Sequence, residues 1–190
     1  MEYPSIPQIH ISEIDTAKRQ VETAIVLYFQ NGDPVSIHTL TAAAYTILEK
    51  LGKTRGIKPI IKDTEMIRKE KRGEWFELIN NPQNFFKHGH DRKRGHPNPD
   101  QSYMFRPATT DFLIWDACRM YAIITTEIPE FVFSFMCWFY IHYPDMLPDP
   151  EAEKLSSMHT SFDTHDRSVF FQQMSSTMID MALDGFSVFV

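Results

Sequence analysis

The residues best suited to chemistry are crowded into one stretch, Asn84 to Asp100, which reads NFFKHGHDRKRGHPNPD. His88, His90 and His96 lie there beside the cations Lys87, Arg92, Lys93 and Arg94 and the carboxylate of Asp91. Two kinds of chemistry suit these residue types. Lys87, Arg92, Lys93 and Arg94 can neutralise phosphates, Phe85, Phe86 or Tyr103 can stack on a base, and His88 can exchange a proton near neutral pH. In RNA cleavage such a histidine removes the 2′-hydroxyl proton while a cation stabilises the charge that develops on phosphorus. Alternatively, His88, His90, Asp91 and His96 offer imidazoles and a carboxylate, the ligand types of a metal-dependent hydrolase. The four neighbouring cations oppose that second use, and Asn84 adds a polar amide to the first.

The usual phosphate and nucleophile signatures do not occur. There is no glycine-rich loop ahead of a helix, no G-x-S-x-G, no H-E-x-x-H and no pair of C-x-x-C motifs, which disfavours a dinucleotide enzyme, a kinase or a zinc protease. No cofactor is called for.

Charge distribution isolates the same region. The net charge of −6 divides into −4 for residues 1–49, +7 for 50–96 and −9 for 97–190. A basic island in an acidic chain suits an anionic ligand, an acidic partner surface, or a second copy of the same chain. The last option is a non-catalytic homo-oligomeric scaffold, a homodimer for instance, in which acidic and basic regions meet between subunits.

The elements that would position these residues are helices. Ile14, Ala17, Val21, Ala24, Ile25 and Tyr28 recur at helical spacing after Ser12, and the pattern predicts a helix over about 12–30. Past the breaker Asn31-Gly32-Asp33-Pro34, Ser36 is the expected cap of a second helix carrying Ile37, Leu40, Ala44, Ile47, Leu48 and Leu51, ended by Gly52. So short a connection makes the two an antiparallel hairpin. A third helix is expected from Asp63 to about Asn80, with Pro82 separating it from a fresh helical turn at QNFFKHGH. Thr109 or Thr110 to Thr126, and Glu130 to Tyr143, read as central helices because they are apolar around most of their circumference. A last helix is expected to hold Phe171, Met174, Met178 and Met181 in register.

The expectation is therefore an all-α fold, a helical bundle of about six helices, in one domain over 1–190. Its core is HEPN-like or a plain four-helix bundle, with an extended segment at 1–11, a central basic loop at 89–108 and an acidic loop at 144–165. With 43% hydrophobic and 13% aromatic residues, the chain can bury a core without metal or disulfide. Cys118 and Cys137 each sit in an apolar run and read as buried free thiols, which fits a reducing cytoplasm. The start of the chain shows no signal-peptide pattern. The apolar run Phe131 to Ile141 is too short to cross a bilayer, which takes about 20 residues, so no membrane association is expected.

Two resemblances bear on function. A polar-aromatic stretch ending in histidine, set between helices of a compact bundle, resembles the HEPN superfamily, which includes RNA-cleaving toxins and nucleotide-binding modules. Its hallmark is an arginine followed a few residues later by a histidine. Here asparagine takes the arginine position in Asn84-Phe-Phe-Lys-His88, and the spacing there and from Arg92 to His96 is one residue short, so what the resemblance implies is binding of RNA or nucleotide. The stretch AKRQVETAIVLYFQNGDPVSIHTLTAAAYTIL, with EWFELINNPQNFFKHGHD, also resembles a group of small bacterial all-helical proteins with no assigned activity. That likeness covers about residues 15–147 and implies that His38 belongs to the same module as the NFFKH segment. His38 and His142 both border apolar helix faces, where a satisfied interior or rim histidine is the common case. Asp116 and Arg119, three residues apart, are expected to pair.

Overall fold

The computed structural model describes residues 8–63, 65, 67–89, 100, 102–146 and 162–183, with side chains to Thr177 in the last segment. Six α-helices account for most of them: α1 Glu13–Phe29, α2 Pro34–Lys53, α3 Arg72–His88, α4 Thr109–Thr125, α5 Glu130–His142 and α6 Arg167–Leu183. No strand occurs among the described residues. The all-α reading is thus correct, and α1, α2, α4 and α5 pack together as a four-helix core, with α3 leaning on α2 and α6 on α5 and α1.

Local sequence explains each boundary. Ser12 caps α1 through a reciprocal capping box: its hydroxyl accepts from the Asp15 N–H at 3.1 Å and the Asp15 carboxylate accepts from the Ser12 N–H at 3.4 Å. The chain then reverses through Asn31, at φ 53°, and Gly32, whose N–H donates to Leu27 O at 2.8 Å. A Cβ at Gly32 would sit 3.0 Å from that same oxygen, so only glycine allows this close return. Asp33, rather than Ser36, caps α2: its carboxylate accepts from the Ser36 N–H at 2.7 Å, and Pro34 occupies the first turn, where a missing N–H costs nothing. Lys50 near the end of α2 pairs with Glu13 at the start of α1 at 2.9 Å, as an antiparallel hairpin requires.

The third helix departs from expectation. Instead of spanning 63–80 with a break at Pro82, it begins at Arg72 and runs unbroken through Pro82 to His88. The stretch from Asp63 to Lys71 offers a single apolar stripe residue in Ile67, too little to pull a helix onto the core. Asp63 instead accepts from the Glu65 N–H at 2.9 Å, and a 3₁₀ turn at Lys69–Lys71 leads in. Pro82 sacrifices one backbone hydrogen bond, yet its ring is buried with Ile79 against the bundle, and half-buried Phe85 and Phe86 follow. That burial outweighs the break, which otherwise costs roughly 3 kcal/mol. Gly89, at φ 67°, ends the helix in the left-handed conformation and donates its N–H to Phe85 O at 2.7 Å.

α4 is buried nearly all round. Asp116 lies on it at 0% exposure and is fully satisfied: it accepts from the Tyr45 hydroxyl at 2.8 Å, the Ile61 N–H at 3.2 Å and the Arg119 Nε at 2.8 Å. Arg119 continues to the Lys58 carbonyl at 2.7 Å, and the Arg55 guanidinium donates to the Ile124 carbonyl. The expected Asp116–Arg119 pair therefore exists, and its role is to pin the 54–62 connection onto α4. Cys118 and Cys137 are free and buried, with burial raising both thiols out of reactive range, Cys137 to about 12. The buried anchor of α6 is Phe170, one residue before the expected Phe171, with Met174 one turn on. Met178 and Met181 have side chains outside the described set. No helix among the described residues is long and apolar enough to cross a membrane.

Candidate functional site

The sequence-selected residues gather at the C-terminal end of α3. Asn84 is half-buried and Lys87 and His88 are exposed. His90, Asp91, Arg92, Lys93, Arg94 and His96 lie outside the described residues, and so does most of the expected basic loop. Along α3, Glu74, Leu78, Asn81 and Phe85 repeat at three- and four-residue intervals and share one stripe, which His88 continues. Lys87 falls about 140° away around the helix, so the two neighbours leave it in different directions.

A groove of about 450 Å³ runs along this stripe. It lies between α3, which supplies Lys71, Glu74, Trp75, Leu78 and Asn81, and the segment after Asp100, which supplies Tyr103 and Arg106. Its walls are held by specific contacts. The Trp75 indole N–H donates to Ile61 O at 2.6 Å, and Tyr103 stacks on Phe85 with ring centroids 5.3 Å apart. Phe86 meets Phe105 edge-on at 5.0 Å. Lys71 is spent on Glu74 at 2.9 Å, whereas the exposed Arg106 has no side-chain partner among the described residues. The groove thus combines aromatic faces, one amide, the Lys71–Glu74 pair, a second glutamate in Glu77 and one available guanidinium.

His38 belongs to this neighbourhood but not to its surface. At 1% exposure it lies edge-on to Phe86 and Phe105, at 5.6 and 5.1 Å between centroids, and its Nδ1 shares a hydrogen with Thr110 Oγ1 at 2.9 Å. Burial pushes its pKa down to about 4, so it is neutral at neutral pH. A ligand on the groove reaches His38 only through the two phenylalanine rings. Among the described residues no cluster of three His, Cys, Asp or Glu side chains is arranged to hold a metal.

Sequence reasoning missed a second polar centre at the other side of Thr110. Asp111, 3% exposed in the first turn of α4, accepts from the Tyr143 hydroxyl at 3.0 Å. The Tyr28 hydroxyl also interacts with this carboxylate, which adds to the burial that raises its pKa, although no hydrogen bond of normal geometry joins the two. Burial raises the pKa of Asp111, and the Tyr143 and Tyr28 hydroxyls and the charge of Arg167 counter that only in part. Burial and the nearby Asp111 charge push Tyr143 up to about 12. Arg167 at the start of α6 lies over the Tyr28 ring, 4.0 Å from its centroid, and 5.4 Å from that of Trp138. His142 stacks on Trp138 at 4.1 Å, and its two ring nitrogens face the carbonyls of Trp138 and Thr164, at 2.8 and 3.2 Å. This rim histidine ties the end of α5 to the lead-in of α6.

No family model, curated protein or solved structure matches the chain.

Proposed function

We propose that the protein binds an anionic ligand with an aromatic moiety, a nucleotide or single-stranded nucleic acid, across the C-terminal end of α3. The observation that carries this reading is the α3 groove: the half-exposed rings of Trp75 and Tyr103 beside the available Arg106 guanidinium, along the helical stripe that His88 extends. Base faces stack on aromatic rings regardless of sequence, while phosphates need cations. Arg106 supplies one, and Lys87, Arg92, Lys93 and Arg94 supply the rest in this reading. Asn81 and Asn84 offer amides to base edges, and His88 is the residue for any proton transfer.

Fluorescence anisotropy of a labelled single-stranded oligoribonucleotide, titrated at several salt concentrations, tests this. Binding should weaken steeply with salt, and replacing Arg92, Lys93 and Arg94 with alanine should flatten the log–log slope by about 2. Absent or salt-independent binding to RNA, DNA and nucleotides sinks the proposal.

A further inference from the structure

The polar centre around Asp111 opens into a pocket of about 60 Å³, lined by Tyr28, Pro34, Ile37, Thr110, Asp111 and Arg167. Its mouth lies between Pro34 and Pro107, both exposed, while Tyr28, Thr110 and Asp111 form a floor more than nine-tenths buried. Liquid water occupies about 30 Å³ per molecule, so the space admits a guest of only a few heavy atoms.

The hydrogen-bonding groups on its walls are mismatched in a specific way. Tyr28 Oη is buried with no hydrogen bond of normal geometry. Asp111 has one hydrogen bond, through Oδ2 to Tyr143, and Oδ1 has none among the described residues. The Arg167 guanidinium makes only face contacts to Tyr28 and Trp138 and forms neither hydrogen bond nor salt bridge among the described residues. A carboxylate and a guanidinium therefore line one small space without an ion pair between them, beside a hydroxyl that lacks a well-formed hydrogen bond. Burying such groups unpaired costs free energy that a fitted guest recovers.

Charge narrows the guest. Where Asp111 is ionised, its charge and that of half-buried Arg167 cancel, so a lone anion or a lone cation would leave one of the two unbalanced. The helix caps offer no extra donors, because Asp33 and Asp166 already accept from the first N–H groups of α2 and α6. Recognition falls to side chains. We propose that this pocket binds a small amino-acid zwitterion, its carboxylate held by the fork of Arg167 and its ammonium by Asp111. Guanidinium and carboxylate match in a planar, two-bond geometry, and an ammonium donor satisfies the free Asp111 oxygen. Tyr28 Oη adds a hydrogen bond to the guest carboxylate, and Pro34 with Ile37 leaves room for a side chain no larger than a methyl group. The site is independent of the α3 groove and of whether that groove binds nucleic acid.

Calorimetric titration of the full chain with glycine, acetate and methylammonium separates the possibilities. Glycine should bind measurably and at least about tenfold more tightly than either half-ligand. Asp111→Asn and Arg167→Gln should each weaken glycine about tenfold or more, and Tyr28→Phe, which keeps the ring under the guanidinium, about fivefold. Circular dichroism checks folding, and if Arg167→Gln does not fold, Asp111→Asn and Tyr28→Phe carry the comparison. Absence of glycine binding overturns the proposal. So does acetate or methylammonium binding as tightly as glycine, or unchanged glycine affinity in the folded variants.

Discussion

The α3 groove and the Asp111 pocket divide the polar chemistry of this molecule, and they are built in opposite ways. The groove is open, about 450 Å³, and its charged residues Lys71, Glu74, Glu77 and Arg106 are exposed. The pocket is about 60 Å³, and its polar groups are buried and short of partners. A shallow aromatic groove selects by stacking and charge, tolerantly, whereas a small pocket with unpaired buried groups selects by the number and direction of hydrogen bonds. His38 joins the two: its Nδ1 meets Thr110 on the pocket wall, and its ring meets Phe86 and Phe105 behind the groove.

The largest predicted effect separates the regions by destroying one wall of the groove. Asp116 holds Ile61, and Ile61 O holds the Trp75 indole. Asp116→Ala leaves Tyr45 and Arg119 without their acceptor and should destabilise the fold by about 3–5 kcal/mol. Urea denaturation reads the loss. Hydrogen exchange should show the Ile61 amide exposed in the variant while amides of the α6 first turn keep their protection; equal loss at both places would show that the two regions form one cooperative unit.

The joint itself gives the next effect. Burial holds the folded-state pKa of His38 at about 4, below the 6.5 of an exposed histidine, so as pH falls the unfolded chain takes up the proton first. The contribution of neutral His38 is therefore whole above about pH 6.5 and is lost between there and about pH 4, amounting to about 3 kcal/mol. Denaturation midpoints of wild type and His38→Phe, compared across that range, isolate it: the wild type should lose about that much more than the variant. Parallel pH profiles would mean that His38 reaches water when protonated.

The legible parts of this chain were those written in consecutive residues. Period and capping signals located α1, α4 and α5 to within a residue or two, and α2 to within three at its start, because each buries its own apolar residues. Asp116 and Arg119 were legible as a pair because three residues on a helix bring side chains together. α3 was misplaced because the rule that proline breaks helices is local, while the burial of Ile79, Pro82, Phe85 and Phe86 that overrides it comes from α2 and the 103–105 segment. The Asp111 pocket was illegible for the same reason. Tyr28, Asp111, Tyr143 and Arg167 come from four helices or helix ends, and nothing about their neighbours in sequence distinguishes them. The basic run after Gly89 stands out in the sequence as a block of charge, whereas the described residues before it pack through Phe85 and Phe86.

The smallest predicted effect sharpens the contrast most. Tyr103 stacks on Phe85 and is half-exposed along the groove, so its ring serves both packing and any ligand. Tyr103→Leu keeps an apolar side chain over Phe85 and should cost only about 1 kcal/mol in stability, the size of an aromatic pair beyond its buried area. If the groove binds by stacking, the same substitution should weaken oligonucleotide binding by about 1–3 kcal/mol while leaving the salt slope unchanged, since no cation is removed. Glycine binding at the pocket should not respond, because Tyr103 lines the groove alone. A change in the salt slope would place Tyr103 as a support for the cations, and unchanged binding would move the ligand off the groove altogether.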